Sequence, residues 1–168
     1  LVFIGTARVG EQYKVERVPV IKKQAISAYD PRVVEVTGIT MMLSAQGADH
    51  TAGNVPRYDS SDKSIKEMVE ASIEAQIASA AADSLGLCIF GRSVTASELE
   101  TVVSAINDAH NTSLTTEFFD ELGRDTLKLE KEFNAAAGFN SDDDELPYSF
   151  ITKRYSPQAN RPDFIVMS

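Results

Sequence analysis

Asp83-Ser84-Leu85-Gly86-Leu87-Cys88, followed by Ile89-Phe90-Gly91-Arg92, lies where a long helical pattern stops and carries the only cysteine of the chain. The segment before it, Ser60 to Ala82, predicts a helix. Ile65, Val69, Ile73 and Ile77 recur every four residues, and Met68 and Ala80 fill out the same stripe. Gly86 is placed to take the left-handed conformation that ends a helix, with Leu87 folding back as the apolar partner of the cap. Cys88 then emerges just past a rigid helix end. Asp83 falls in the last turn, where a carboxylate faces the negative end of the helix dipole unless a donor offsets it. An acceptor there suits a ligand rich in N–H groups. The same residues have a plainer reading, with Cys88 as a small buried hydrophobe and Asp83 as a solvated carboxylate.

Downstream, Thr95-Ala96-Ser97-Glu98 reads as a capping box opening a helix with Leu99, Val102, Val103 and Ile106 on one face. That helix ends near Ala109, with His110 at its C-terminus, where a positive charge is favoured. Thr115 or Thr116 caps a further long helix that presents Phe118, Phe119, Leu122, Leu129 and Phe133 and stops at Gly138. Gly123 interrupts it, marking a bend or a close helix contact. The run Asp142-Asp143-Asp144-Glu145 lacks the alternating carboxylates and central glycine of a calcium loop and reads as a solvated turn.

Upstream, Asp30 before Pro31 predicts a helix start, with the aspartate as N-cap and the helix continuing to about Ala45. Gln46-Gly47-Ala48-Asp49-His50-Thr51 ends it. His50 reads either as a capping or surface histidine or as a proton carrier, the role imidazole fills near neutral pH; Asp49 reads as a turn residue that could orient it. Residues 51–62 form a loop rich in turn formers. Residues 1–28 carry short β-prone runs at Leu1–Ile4, Tyr13–Val15 and Val18–Ile21, broken by Gly5, Gly10 and Pro19. Lys14, Arg17, Lys22 and Lys23 there read as a solvated basic face.

The expected fold is mainly α: a multi-helical, orthogonal bundle-like single domain. It comprises an irregular or short-hairpin lead-in (1–28), a helical core (29–147) and an extended tail (148–168). At 168 residues, with 43% hydrophobic and 24% charged residues, the chain buries a real core. A net charge of −9 argues against nucleic acid or an anionic membrane as partner. No apolar run long enough to span a bilayer occurs. A single cysteine excludes an internal disulfide and fits a reducing cytoplasm. The chain begins with Leu1 and not methionine, as expected of a processed product or an excised piece of something longer.

Four stretches resemble one family in that family's order: Ala28-Tyr29-Asp30-Pro31-Arg32, the helix end leading to His50, Asp83-x-x-Gly86-Leu87-Cys88, and Phe133-Asn134 through Gly138, the acidic turn and Leu146-Pro147. The family is that of the tungsten-containing aldehyde ferredoxin oxidoreductases. The resemblance implies the C-terminal helical part of an enzyme that oxidises an aldehyde to a carboxylic acid and passes electrons to ferredoxin. It implies a tungsten bis-pterin, or its molybdenum equivalent, and one 4Fe-4S cluster. Cys88 would ligate the cluster. Asp83 and the Leu87 backbone would hold a pterin, and His50 would donate or position a proton near the metal. A cluster needs four thiolates and the chain has one, so the remaining ligands would lie in an N-terminal part of the same polypeptide, and the resemblance leaves room for a homodimeric parent. The isolated chain is expected to bind neither group and to be inactive. Two other classes fit the residues: a stand-alone acidic helical module that binds protein partners, and a thiol hydrolase using Cys88 and His50, which requires a base beside the thiol.

Overall fold

A computed structural model of the chain describes residues 5–152. The architecture is mainly helical. In chain order the elements are α1 (Gly5–Tyr13), β1 (Val20–Ile21), β2 (Gln24–Ala25), α2 (Glu35–Leu43), α3 (Ile65–Ser84), α4 (Arg92–Ser97), α5 (Leu99–His110), α6 (Glu117–Ala136) and α7 (Tyr148–Thr152). Among the described residues no helix is long and apolar enough to cross a membrane.

The hairpin expected in the lead-in is present. β1 and β2 pair antiparallel, Val20 opposite Ala25, through a turn in which Lys22 and Lys23 both take positive φ. The lead-in also contains α1, which the β-prone reading missed. Gly10 is its buried contact, so close to Val18 that a Cβ would lie 2.2 Å from that side chain. The Leu1–Ile4 run lies outside the described residues.

α3 is the central strut. It begins at Ser64, whose side chain takes the Glu67 N–H while the Glu67 carboxylate takes the Ser64 N–H, a reciprocal capping box. It therefore starts four residues after the expected Ser60. The face it buries only partly matches the expected stripe: Ile65 is 75% exposed, Ile73 is exposed, and of that stripe only Ile77 and Ala80 are buried. The buried residues are Ser72, Gln76, Ile77, Ser79, Ala80, Ala81 and Ala82. The cause is close packing on two sides, where most of the buried side chains are small and Gly123 makes room for Ile77. On one side α2 approaches until the Thr40 and Ser72 hydroxyls bond at 2.8 Å, and Gly53 of the following loop lies against the backbone of Ala75–Gln76. On the other side α6 lays Gly123 on α3, where an added Cβ would stand 2.3 Å from the Ile77 carbonyl oxygen. Gly123 is thus the close helix contact its position suggested.

α2 begins at Glu35 and not at Pro31. Its N-cap is Val34, without a side-chain cap. Asp30 is engaged elsewhere: its Oδ1 takes the Arg32 N–H (3.0 Å), and the guanidinium grips both its oxygens at 2.9 and 2.5 Å. α5 starts at Leu99 with Glu98 as its N-cap, and Thr95, the expected cap, falls inside α4. α5 ends at His110, the C-terminal position read from the sequence, and Asn111 beyond it is left-handed. α6 ends two residues before Gly138, which takes positive φ. The acidic turn is not simply solvated. Lys22, whose side chain is 5% exposed, pairs with Asp144 and donates to the Met42 carbonyl (2.6 Å), and Lys131 reaches the same carboxylate at 3.7 Å. Lys22 is therefore a buried tie between the hairpin, α2 and the acidic turn. It is not part of a solvated basic face. Near it Ile21, Met41 and Ala48 form a core with Ile26, Tyr29, Met42 and Leu146. Of the expected extended tail, Tyr148–Thr152 is helical and the rest lies outside the described residues.

Candidate functional site

α3 ends as the sequence implies. Gly86 sits at φ +67. The Leu87 N–H returns to the Ala82 carbonyl (2.9 Å) and the Gly86 N–H to that of Asp83 (3.0 Å). This paired return is the Schellman cap, and it satisfies carbonyls the helix end would leave open. It also commits the Leu87 N–H, so the backbone group of Leu87 available to a ligand is its carbonyl.

Past the cap the chain turns outward. Cys88 is exposed, which overturns its reading as a small buried hydrophobe. Ile89 is exposed and Phe90 is 95% exposed, so the thiol stands beside bare apolar surface. Asp83 continues the Ser72–Gln76–Ser79 stripe at helical spacing, on the side of α3 that α2 and Gly53 cover. Those three are buried and Asp83 is not. At 1.5 Å per residue it lies about 10 Å beyond Gln76 along the helix axis.

His50 lies in the loop from α2 to α3. Its ring is half-exposed and packs against Tyr29, with centroids 6.3 Å apart and planes tilted by 31°. Asp49 Oδ1 lies 3.9 Å from His50 Nδ1 and is fixed by the Thr51 N–H (2.7 Å) and hydroxyl (2.8 Å). Burial disfavours the Asp49 carboxylate. The bonds from Thr51, the nearby His50 and the Gln24 side chain outweigh that, and hold its carboxyl below the usual range. Asp49 is thus a turn residue whose charge is fixed beside the imidazole. Tyr29 was legible only as part of the Ala28–Arg32 string; the contact with His50 joins positions far apart in sequence and needed the fold.

No hydrogen bond, ion pair or ring contact among the described residues joins His50 to Asp83, Leu87 or Cys88. The thiol-hydrolase reading therefore lacks the base beside its nucleophile. What links the two regions is α6, which runs in the same direction as α3. Thr126 meets Ser84, hydroxyl to hydroxyl, at 3.0 Å, and two turns later the Asn134 amide donates to the Ala45 carbonyl at 2.7 Å. Eight residues of helix separate these contacts, about 12 Å. Phe119, Gly123, Thr126, Glu130 and Phe133 form one stripe of α6. Its first part packs on α3. Its last part continues beyond the end of α3, and Phe133 is 73% exposed. There a recess of about 400 Å³ opens between Ala45–Gln46 and the α6 residues Leu129, Glu130, Phe133 and Asn134. Glu130, which lines it, has its Oε2 buried without a hydrogen-bond partner, a situation that costs at least about 1–3 kcal/mol. Nothing in Leu-Glu-Lys-Glu marks Glu130 in the sequence, since its burial depends on where α3 stops.

A second groove, of about 280 Å³, is lined by Ile77, Ala81, Leu87, Leu99 and Phe119. It occupies the face of α3 opposite Asp83. Among the described residues no cluster of three His, Cys, Asp or Glu side chains could hold a metal ion. Cys88 and His50 each stand as a single group.

No curated protein is similar enough to the chain to count as a match. A family model described as aldehyde ferredoxin oxidoreductase, domains 2 and 3, matches residues 4–165, nearly the full length. It spans every stretch on which the resemblance rested, and the domains it describes belong to a larger polypeptide. The chain belongs to the aldehyde ferredoxin oxidoreductase family.

Proposed function

We propose that the chain forms one helical domain at the C-terminal end of a cytoplasmic aldehyde:ferredoxin oxidoreductase. That enzyme converts an aldehyde and water to a carboxylic acid, two protons and two electrons, the electrons going to ferredoxin. When bound, a tungsten or molybdenum bis-pterin and a 4Fe-4S cluster supply the two-electron oxidation and the one-electron relay. The residues present fit part of each group. The Asp83 carboxylate and the Leu87 carbonyl are acceptors, the complement of a pterin edge rich in N–H. Cys88 offers one exposed thiol to a cluster, which takes its other ligands from elsewhere in the polypeptide.

The observation that carries this reading is the Schellman cap. It turns an acceptor carboxylate, an acceptor carbonyl and an exposed thiol outward at one helix end, beside bare apolar surface. His50 holds or moves a proton at its imidazole, its ring steadied by Tyr29 and the fixed Asp49 charge. The α6 contacts support placing His50 on the same side as that helix end. The alternative, a stand-alone module for protein partners, draws only on the exposed Phe90, Leu129 and Phe133.

The test is the complete polypeptide, purified and assayed for iron, acid-labile sulfide, tungsten and aldehyde-dependent dye reduction. About four irons per chain are expected in the wild type. Cys88→Ser should lower iron with loss of turnover, and His50→Asn should keep both metals but lose turnover. Full iron in Cys88→Ser contradicts the assignment.

A further inference from the structure

We propose that Glu130 is a further binding residue of this site, its carboxylate, one oxygen of which is buried and unpartnered, accepting an N–H from the edge of the pterin that Asp83 and Leu87 hold; this rests on the function proposed above. Glu130 Oε2 is buried and without a partner among the described residues. It lies one helical turn past Thr126, which touches Ser84, and one turn before Asn134, which bonds Ala45. It therefore sits between the cap of α3 and the loop that leads to His50.

Glu130 lines the recess of about 400 Å³ together with Phe133, whose ring is largely bare. A flat aromatic face beside a carboxylate acceptor suits a flat ring that carries N–H donors along its edge. The Asp83 carboxylate and the Leu87 carbonyl have the same polarity. All three are acceptors, so together they select a donor-rich edge and offer nothing to a ring that presents carbonyls. A guanidinium from another part of the polypeptide is the other donor group of that shape, and the experiment separates the two.

Two measurements test the proposal. In the isolated 168-residue chain, Glu130→Leu removes an acceptor that nothing satisfies, and the Tm should rise by about 2–4 °C. An unchanged or lowered Tm means the carboxylate serves the fold of this chain, and overturns the inference. In the complete polypeptide, pterin retained through dialysis is read by fluorescence after oxidative release, alongside iron. Glu130→Leu should retain about tenfold less pterin, matching one charge-assisted hydrogen bond. Glu130→Gln, which keeps an acceptor oxygen, should fall between, and iron should stay at the wild-type value in both. Wild-type pterin in Glu130→Leu overturns the inference alone, as does lost pterin accompanied by dissociation of the chain from the rest of the enzyme, the guanidinium outcome. A wild type that holds no pterin overturns the function itself.

Discussion

Replacing Gly123 by alanine sets two opposed effects against each other, and the structure decides the sign. In an exposed helix the change stabilises by about 1 kcal/mol, because alanine loses less backbone freedom on folding. Here the new Cβ would stand 2.3 Å from the Ile77 carbonyl oxygen and 2.9 Å from its carbon, whereas real Cβ atoms essentially never come under 3.0 Å. The Ile77 Cγ2 at 2.8 Å could swing away, but the carbonyl oxygen and carbon are backbone, so no rotamer change relieves the clash. α3 and α6 must separate by most of an ångström along their largest contact surface. A gap of that size forfeits a quarter to a half of each dispersion contact it opens. Overpacking in a tight interface costs about 1–3 kcal/mol, and the backbone clash places this case at the upper end. The net expectation is a loss of about 2 kcal/mol, or about 4–8 °C in Tm for a chain of this size. Urea unfolding followed by circular dichroism reads it as a lower midpoint at unchanged slope. Gly123→Ala equal to or more stable than wild type would refute the close packing of α3 on α6, and with it the argument that α6 fixes the end of α3 relative to Ala45.

Three further outcomes follow from single residues. Gly86 has open space around its Cα but a φ of +67, so Gly86→Ala should cost about 1 kcal/mol through the left-handed backbone alone, with Gly86→Asn milder; urea midpoints measure both. Removing the buried Lys22 ammonium by Lys22→Met leaves the Met42 carbonyl and Asp144 short of a donor. It should cost about 3 kcal/mol, the low end for a broken buried pair because Lys131 remains near; a Lys22→Met, Asp144→Leu double variant should recover part of the loss. The Arg32 side-chain bonds to Asp30 hold its carboxyl below the usual range against the opposing effect of burial. A lowered folded-state value gives stability that is present above about pH 4, the unfolded value, and lost as pH falls below it. Between pH 4 and 3, Asp30→Asn should therefore lose stability less steeply than wild type, and equal slopes in a urea series would contradict the pairing.

The sequence exposed the helical class and the ends of several helices because caps are local chemistry. Gly86 and Gly138 each take positive φ where the chain leaves a helix. Gly123 stood out for the same reason, a glycine where a helix former is expected. Which face α3 buries was not local. The isoleucine stripe is the more hydrophobic face, but two neighbours approach so closely that the buried face is mostly serine and alanine, with Ile77 admitted opposite Gly123. Asp30 carried a cap signature, yet Arg32 two residues on competes for the same oxygens and wins. Lys22 read as solvated because a lysine's burial depends on a carboxylate more than a hundred residues away. The motif residues Asp83, Leu87 and Cys88 were legible as a helix-end cluster. The Tyr29 contact to His50 and the unmet Glu130 oxygen were not, since each arises where segments distant in sequence come together.

The account stands on two helix ends opening onto one space. Cys88 is the only thiol, so a nitroxide can be placed on it without any mutation. Imidazole proton signals, assigned with His50→Gln, then report how close that thiol lies to His50. Strong paramagnetic broadening of the His50 ring protons, abolished on reduction of the nitroxide, is the predicted result. His50 signals unchanged by the label would place the imidazole and the thiol on separate faces and contradict the shared site.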